Sequence, residues 1–238
     1  MPQVLVKLGA NAGVSIRVGG KNIWVDALFE GVGNTFSHLR PALLEKIMSG
    51  AFGKPDYLVY THCHGDHYSR GLTGIAMEKW PDAKVILPQR ELDGQILPEG
   101  EEYRLQDGAV ELSFLKLPHA GEIYADVKLY GLLISTGGCN ILLPGDCEVA
   151  SPALKAAVGD KKIDLVIVDF PWITKRAGKE YLQQQIKAKH VIAYHLPFEE
   201  DDGNGFRLSA ARAAEKLLQQ DTDVRLLWNE LQEEEINI

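Results

Sequence analysis

The stretch Thr61-His62-Cys63-His64-Gly65-Asp66-His67 places three histidines and an aspartate within six residues. It follows the apolar run 57–60, which predicts a buried strand that ends in a short loop, with a helix from about Tyr68 to Lys79 after it. Because strand side chains alternate between two faces, only a tight loop can turn four neighbouring side chains to one side, and Gly65 permits that turn. Imidazole and carboxylate groups are the usual ligands of zinc and similar ions, so this loop predicts a metal site.

Length, composition and net charge indicate the domain organisation and the kinds of partner to expect. The chain has 238 residues, of which 45% are apolar and 24% are charged, which predicts a full core in one domain over residues 1–238. The net charge is −8, and no block of Lys and Arg offers a footprint for phosphate backbones. Nucleic acid is therefore disfavoured as a partner.

The sequence also indicates the cellular compartment of the protein. The N-terminus enters a strand pattern directly and lacks the basic and apolar regions of a signal peptide, and no run reaches the ~18 apolar residues of a membrane helix. Three cysteines, an odd number, do not indicate a disulfide framework. We therefore expect a soluble protein in the cytoplasm, with no membrane partner.

The remaining elements are predicted from apolar periodicity and turn residues. Strands are predicted at 4–8, 13–18, 22–26, 84–88, 110–117, 127–136, 140–143, 165–168, 190–194 and 224–228. Helices are predicted at 41–50, 152–158, 178–186 and 208–219, and residues 27–40 and 89–108 are predicted to be loops, the latter with at most short strands. Two similar halves, roughly 1–120 and 121–238, would then pack as two face-to-face sheets with helices outside.

Further candidate ligands follow apolar strands outside the central loop. His119, Asp146 and His195 each stand just after such a run, where sites collect in layered α/β folds. Each alone is an ordinary residue, but together they predict one shared site. Asp26, also at a strand end, either caps a turn or accepts a hydrogen bond from a ligand histidine. His190 lacks this setting and is interpreted as structural, and His38 stays unassigned.

This pattern resembles the metallo-β-lactamase superfamily, whose signature is His-x-His-x-Asp-His followed by a distant His, Asp and His. The matching residues are His62, His64, Asp66, His67, His119, Asp146 and His195, with Asp26 at the early strand-end position. The resemblance implies an α/β fold, a four-layer αββα sandwich of two mixed sheets with pseudo-two-fold halves. It also implies a binuclear centre, with His62, His64 and His119 on one metal, Asp66, His67 and His195 on the other, and Asp146 bridging.

Two such ions would share a water and lower its pKa, which makes a bridging hydroxide available at neutral pH. This chemistry predicts a hydrolase that acts on a small ester, lactone, thioester or phosphodiester, with Asp66 orienting the nucleophile. Zinc is the expected metal, and manganese or iron are alternatives because histidine and carboxylate sites accept all three.

Several alternatives stay open at this stage. The acidic residues 199–202 either form a solvated loop or lie over the cleft and repel polyanions. No insertion resembles the tRNA-binding arm of the superfamily's tRNA-processing nucleases, which favours a small-molecule substrate.

Tyr124, Trp172 and Phe198 are candidate substrate contacts, and Cys63 and Cys147 are expected to be buried thiols, with a redox-sensitive site as the alternative. The other functions considered are a phosphodiesterase or nuclease, a di-iron redox protein and a binding module. Substrate identity and oligomeric state stay open.

Overall fold

The computed structural model describes residues 3–31, 36–218 and 222–238 and contains two mixed β-sheets. The first sheet has the order β13-β1-β2-β3-β4-β5. Its strands are β1 (Gln3–Leu8), β2 (Val14–Val18), β3 (Lys21–Val25), β4 (Tyr57–Val59), β5 (Lys84–Ile86) and β13 (Glu233–Asn237). Strands β13, β1, β2 and β3 pair antiparallel, and β3, β4 and β5 pair parallel. The parallel half carries the predicted metal loop at the end of β4.

The second sheet has the order β12-β11-β10-β9-β8-β7-β6. Its strands are β6 (Glu102–Asp107), β7 (Val110–Leu117), β8 (Leu129–Thr136), β9 (Cys139–Leu143), β10 (Leu165–Asp169), β11 (His190–Tyr194) and β12 (Asp223–Leu226). The pairs from β6 to β9 are antiparallel, and those from β9 to β12 are parallel. The carboxyl ends of β9, β10 and β11 therefore meet at one edge of this sheet.

Helices flank both sheets. The helices are α1 (Pro41–Lys46), α2 (Arg70–Lys79), α3 (Pro152–Val158), α4 (Pro171–Thr174), α5 (Arg176–Tyr181) and α6 (Phe206–Leu218). π-helical turns extend α1 through Ile47–Ala51 and α5 through Leu182–Ile186. None of the helices in the described ranges is long and apolar enough to cross a membrane.

The buried apolar side chains form two clusters, because alternate residues of a strand face opposite sides of the sheet. Along β10, Leu165 and Ile167 belong to the cluster between the sheets, whereas Val166 and Val168 belong to the cluster under the helices of the second sheet. The outer cluster also contains Leu154 of α3 and Leu217 of α6. This layering confirms the predicted α/β sandwich.

Local chemistry explains the start of the helix behind the metal loop. Helix α2 begins at Arg70 rather than Tyr68 because the Ser69 side chain accepts a hydrogen bond from the Leu72 N–H at 3.1 Å. The predicted turns at Gly19-Gly20 and Gly137-Gly138 join consecutive strands, and all four glycines have positive φ.

Two strands differ from the sequence prediction. Residues 102–107, predicted as loop with at most short strands, form edge strand β6, in which half-buried Tyr103 and Leu105 alternate with exposed polar side chains. Strand β13, after the last predicted strand, returns to the first sheet beside β1. Strands β6 and β7 precede residue 120 but pair in the second sheet, so the boundary between the sheets falls between β5 and β6. The predicted helix end at Gln219 and the predicted loop residues 32–35 lie outside the described residues.

Candidate metal centre

The candidate site lies where strand ends of the two sheets face each other. From the first sheet, β3 leads to Asp26, and β4 leads through Tyr60 to the loop 61–67. From the second sheet, β7 leads to His119, β9 to Asp146 and β11 to His195. Loops at strand ends can hold diverse side chains because the sheets fix their ends rigidly.

The structure brings the seven predicted ligands together in overlapping groups of three. The groups are His62, His64 and His119; His62, His67 and Asp146; and Asp66, His67 and His195. Within each group, the candidate ligand atoms all lie within 4.8 Å of one another. The first and third groups are the two ligand sets that the superfamily resemblance implies.

Asp146 lies at the centre of these groups. Its Oδ2 atom is 4.0 Å from His62 Nε2 and 3.9 Å from His119 Nε2. Its Oδ1 atom is 3.3 Å from His67 Nε2 and 3.8 Å from His195 Nε2. Each oxygen therefore faces histidines of a different predicted metal, which is the arrangement that a bridging carboxylate requires. Gly145 has a φ of 60° and packs closely against Thr61 in the turn before Asp146.

Asp26 is fully buried beneath the loop and accepts three hydrogen bonds. The Thr61 backbone N–H donates to Oδ1 at 2.8 Å, and the Thr61 hydroxyl donates to Oδ2 at 2.6 Å. His67 Nδ1 donates to Oδ2 at 2.9 Å, which fixes the ring and directs Nε2 towards Asp146. This contact agrees with the interpretation of Asp26 as an acceptor of a hydrogen bond from a ligand histidine. Asp26 and His195 adopt left-handed φ values of 49° and 56°, a strained backbone geometry that is concentrated at functional sites.

The ionisable side chains of the centre shift one another's pKa values. Burial opposes a charge on His67, but the carboxylates of Asp146 and Asp26 together raise its pKa well above the ordinary value. Burial likewise opposes the charge of Asp146, but His67 and then His195 hold the pKa of Asp146 well below its ordinary value. Burial, reinforced by His67, lowers the pKa of His62. In the metal-free protein, His67 therefore carries a proton, and Asp146 is ionised.

The polar atoms at the centre fit metal ions. Among the described residues, His67 Nε2, His119 Nε2, His195 Nε2 and Asp146 Oδ1 are buried without a hydrogen-bond partner. Such atoms are costly to bury unless something satisfies them. Because they converge, and because imidazole and carboxylate are preferred ligands of divalent transition metals, these residues could hold two such ions.

Comparison with known proteins agrees with this arrangement. The family model described as the beta-lactamase superfamily domain matches residues 21–200. The chain belongs to this superfamily. No curated protein matches the chain.

Solved structures show the same fold at low sequence identity. The metallo hydrolase Igni18 from Ignicoccus hospitalis aligns with a TM-score of 0.71 at 12% identity, covering 99% of each chain. Isothiocyanate hydrolase from Delia radicum gut bacteria gives 0.65 at 15% identity, covering 98% of each chain. The diiron β-hydroxylase CmlA from Streptomyces venezuelae gives 0.66 at 15% identity, covering 99% of this chain and 54% of its own. These similarities establish the metallo-β-lactamase sandwich.

One further carboxylate, Asp169, lies beside the candidate ligands and was not predicted from the sequence. Asp169 ends β10, between the two strands that lead to Asp146 and His195. Its Oδ1 atom is buried without a partner among the described residues. Burial and then the neighbouring Asp146 raise the pKa of Asp169 well above its ordinary value. The signal was present in the sequence, since Asp169 follows an apolar run in the same way as Asp146 and His195.

Two aromatic rings stand against the candidate ligands. The Tyr124 ring lies 4.9 Å from both the His64 and the His119 rings and is 40% exposed, which keeps it a candidate substrate contact. The Phe36 ring, from the predicted loop 27–40, is 4.6 Å from the His195 ring. The other two candidates do not offer comparable surface. Trp172 is 1% exposed in the cluster under the helices, and Phe198 is 4% exposed.

The acidic residues 199–202 have structural partners. Arg40 pairs with Glu200 at 2.6 Å and with Asp201 at 3.0 Å. Asp202 accepts hydrogen bonds from the Phe206 and Arg207 N–H groups at the start of α6. These contacts tie the loop to Arg40 and α6, which favours a surface loop over a patch that covers the cleft and repels polyanions.

The cysteines next to the ligands are poor nucleophiles. All three cysteines are free. Burial raises the pKa of Cys63 and of Cys147 to about 12, so both thiols stay protonated at neutral pH. This chemistry agrees with the expectation of unreactive thiols.

Proposed function

We propose that this protein is a binuclear metal-dependent hydrolase that acts on a small ester, lactone, thioester or phosphodiester. The single observation that carries the proposal is the position of Asp146, whose two oxygens face histidines of both candidate metal sites at 3.3–4.0 Å. We expect two zinc ions per chain, with manganese or iron as the alternatives.

Each ligand has a defined part in this proposal. His62, His64 and His119 would hold one ion, Asp66, His67 and His195 would hold the other, and Asp146 would contribute to both sites. Two divalent ions held there would supply a water of lowered pKa and stabilise negative charge that develops on the substrate. Asp26 fixes the His67 ring so that Nε2 stays directed at the centre.

Asp66 is the proposed catalytic carboxylate besides being a ligand. Its Oδ2 atom lies 3.8 Å from His67 Nε2, and about a quarter of its side chain is exposed. It is therefore the ligand carboxylate that can accept a proton from the attacking water and hold it near the leaving group. The buried Asp26 cannot take this part because it already accepts three hydrogen bonds.

Charge and shape support a small substrate. Two divalent ions carry more positive charge than Asp66 and Asp146 carry negative charge, so a substrate that develops negative charge is favoured. Tyr124 beside His64 and His119, and Phe36 beside His195, provide apolar walls on the two sides of the centre. The net charge of −8 disfavours a polyanionic substrate. We also propose that the protein resides in the cytoplasm, because its three cysteines are free, as is typical of a reducing compartment.

The test combines metal analysis with turnover. Purified protein is analysed by elemental mass spectrometry and assayed with chromogenic carboxylic esters and phosphodiesters. We expect about two metals per chain and hydrolysis of at least one of these substrates. His195→Gln should lose metal and activity together.

His190→Gln is the matched control because His190 stands at the opposite end of the same strand, bonded to Asp223 at 2.8 Å. It should keep metal and activity. Two irons without hydrolysis would favour redox chemistry instead, and no metal after reconstitution would refute the proposed centre.

A further inference from the structure

A fourth carboxylate lies beside the centre and is not among the ligands assigned by the superfamily signature. Asp169 is the last residue of β10, the strand between β9 and β11. Asp146 follows β9 and His195 follows β11, so the flanking strands deliver one proposed ligand on each side of Asp169.

The direction of the Asp169 side chain follows from strand alternation. Leu165 and Ile167, at the same parity on β10, lie in the cluster between the two sheets. Asp169 therefore points between the sheets, towards the loop and Asp26 of the first sheet. The charged groups that act on it are Asp146, His67 and Asp26, which confirms this direction.

One oxygen of this carboxylate has no hydrogen-bond partner in the described part of the protein, while the group also interacts with the Asp146 carboxylate. Asp169 Oδ1 is buried without a hydrogen-bond partner. The neighbouring Tyr194 hydroxyl, aligned with Asp169 across the pair β10 and β11, is also buried without a partner. Two adjacent ionised carboxylates repel each other in a buried medium of low polarity. The retention of Asp169 at this position is explained if metal ions offset that repulsion.

We propose that Asp169 is a positioning residue of the metal centre, which holds the bridging Asp146 in place and adds negative charge that strengthens the binding of both cations. This inference rests on the proposed function. The candidate ligand groups do not contain Asp169, so it acts through Asp146 rather than as a direct ligand. Groups that orient ligands in this way typically change metal affinity by about 10–100-fold when they are removed.

The test is Asp169→Asn, which keeps the size of the side chain and removes its charge. Metal affinity is measured by titration of the metal-free protein with zinc and with manganese, and the melting temperature of the metal-free protein is measured in parallel. We expect affinity to fall about 10–100-fold while the melting temperature stays equal or rises, because the amide fills the same space and two carboxyl groups no longer lie side by side in the interior.

Asp164→Asn is the matched control, since Asp164 immediately precedes the same strand and bonds instead to Asn140 and Lys162. It should bind metal like the wild type. Unchanged affinity in Asp169→Asn would overturn the inference. A lower melting temperature of the metal-free variant, or failure to fold, would also overturn it, because the role would then be structural. If the wild type itself binds no metal, the proposed function fails rather than the role of Asp169.

Discussion

Asp26 shows how one carboxylate can organise a whole ligand loop. It accepts hydrogen bonds from two groups of Thr61 and from His67 Nδ1, and it is itself fully buried. Leaving any of these donors unpaired in the interior is costly. The loop conformation and the orientation of one proposed ligand therefore depend on a residue that does not reach the metal.

Asp26→Asn tests this dependence. The amide has one oxygen where the carboxylate has two, so it cannot accept from both Thr61 and His67 without placing its NH₂ group against a donor. We expect metal affinity to fall about 10–100-fold, measured by titration of the metal-free protein. Asp82→Asn, at an exposed pair with Lys54, is the control and should bind metal normally. Wild-type affinity in Asp26→Asn would contradict the role.

Metal binding should also release a proton from His67. Because its pKa is raised well above the ordinary value, His67 is protonated in the metal-free protein at neutral pH, and a cation must displace that proton. We expect release of about one proton per chain and weaker binding as the pH falls. Calorimetry in buffers of different ionisation enthalpy measures the number of protons, and no release at neutral pH would contradict a protonated His67.

The raised pKa of His67 also makes the stability of the metal-free protein depend on pH. A histidine with a raised pKa in the folded state stabilises that state fully below its unfolded pKa of about 6.5. That contribution is lost as the pH rises through the folded-state pKa. His67 therefore stabilises the metal-free fold more under acidic than under alkaline conditions.

At the scale of elements, strand β6 is tied to the first sheet by one side chain. Asp107 on β6 accepts a hydrogen bond from the Tyr57 hydroxyl at 2.5 Å and pairs with Lys21 at 2.9 Å and Lys84 at 3.6 Å. These partners belong to β4, β3 and β5. The contact therefore joins the two sheets at the end away from the metal loop.

The pH dependence of this contact can be measured. The hydrogen bonds from Tyr57 and Lys21 lower the pKa of Asp107 to about 2. A lowered carboxylate pKa gives stability that is complete above the unfolded pKa of about 3.9 and is lost as the pH falls towards about 2. Asp107→Asn should therefore be less stable than the wild type at neutral pH, with the difference shrinking near pH 2, as measured by urea unfolding. Asp93→Asn, at an exposed position, should show no such difference.

The turn Glu122–Tyr124 should affect substrate binding rather than the metals. Tyr124 contacts two ligand rings, and the adjacent Ile123 is 85% exposed. We expect Tyr124→Ala to raise KM for esters with apolar groups by about tenfold, because a large apolar contact of 1–2 kcal/mol is removed, while metal content stays unchanged. Ile75→Ala, at an exposed apolar residue of α2, is the control. An unchanged KM across a series of esters would exclude Tyr124 from the substrate site.

At the scale of the molecule, the proposed metals connect the two sheets. His62, His64, Asp66 and His67 come from the first sheet, and His119, Asp146 and His195 come from the second. Ions held by both sets would therefore cross-link the two layers at the end opposite to the Asp107 contact.

Metal removal should lower the melting temperature. A ligand that binds only the folded state stabilises it by about 2.7 kcal/mol at a concentration 100 times its dissociation constant. We expect chelation to lower the melting temperature of the wild type, and added zinc to restore it. His195→Gln should respond less, and an identical response in both proteins would contradict the cross-link.

The layered fold and the seven candidate ligands could be predicted from the sequence, because both leave local signals. Apolar runs of strand length alternate with helical periodicity, and each ligand follows such a run, as His119 follows β7 and Asp146 follows β9. The same signal was present at Asp169, which had no place in the superfamily signature and was passed over.

Tertiary contacts were needed to find edge strands β6 and β13 and the partners of single side chains. Strand β13 has three consecutive glutamates and forms a strand because β1 offers backbone partners and because Lys7 and Arg17 pair with Glu233 at 3.1 Å and 2.7 Å. The hydrogen bonds of Asp26 and the ion pairs of Arg40 with Glu200 and Asp201 likewise depend on residues distant in the chain. Local sequence does not encode such contacts, since hydrogen bonds and ion pairs depend on distance in space rather than along the chain.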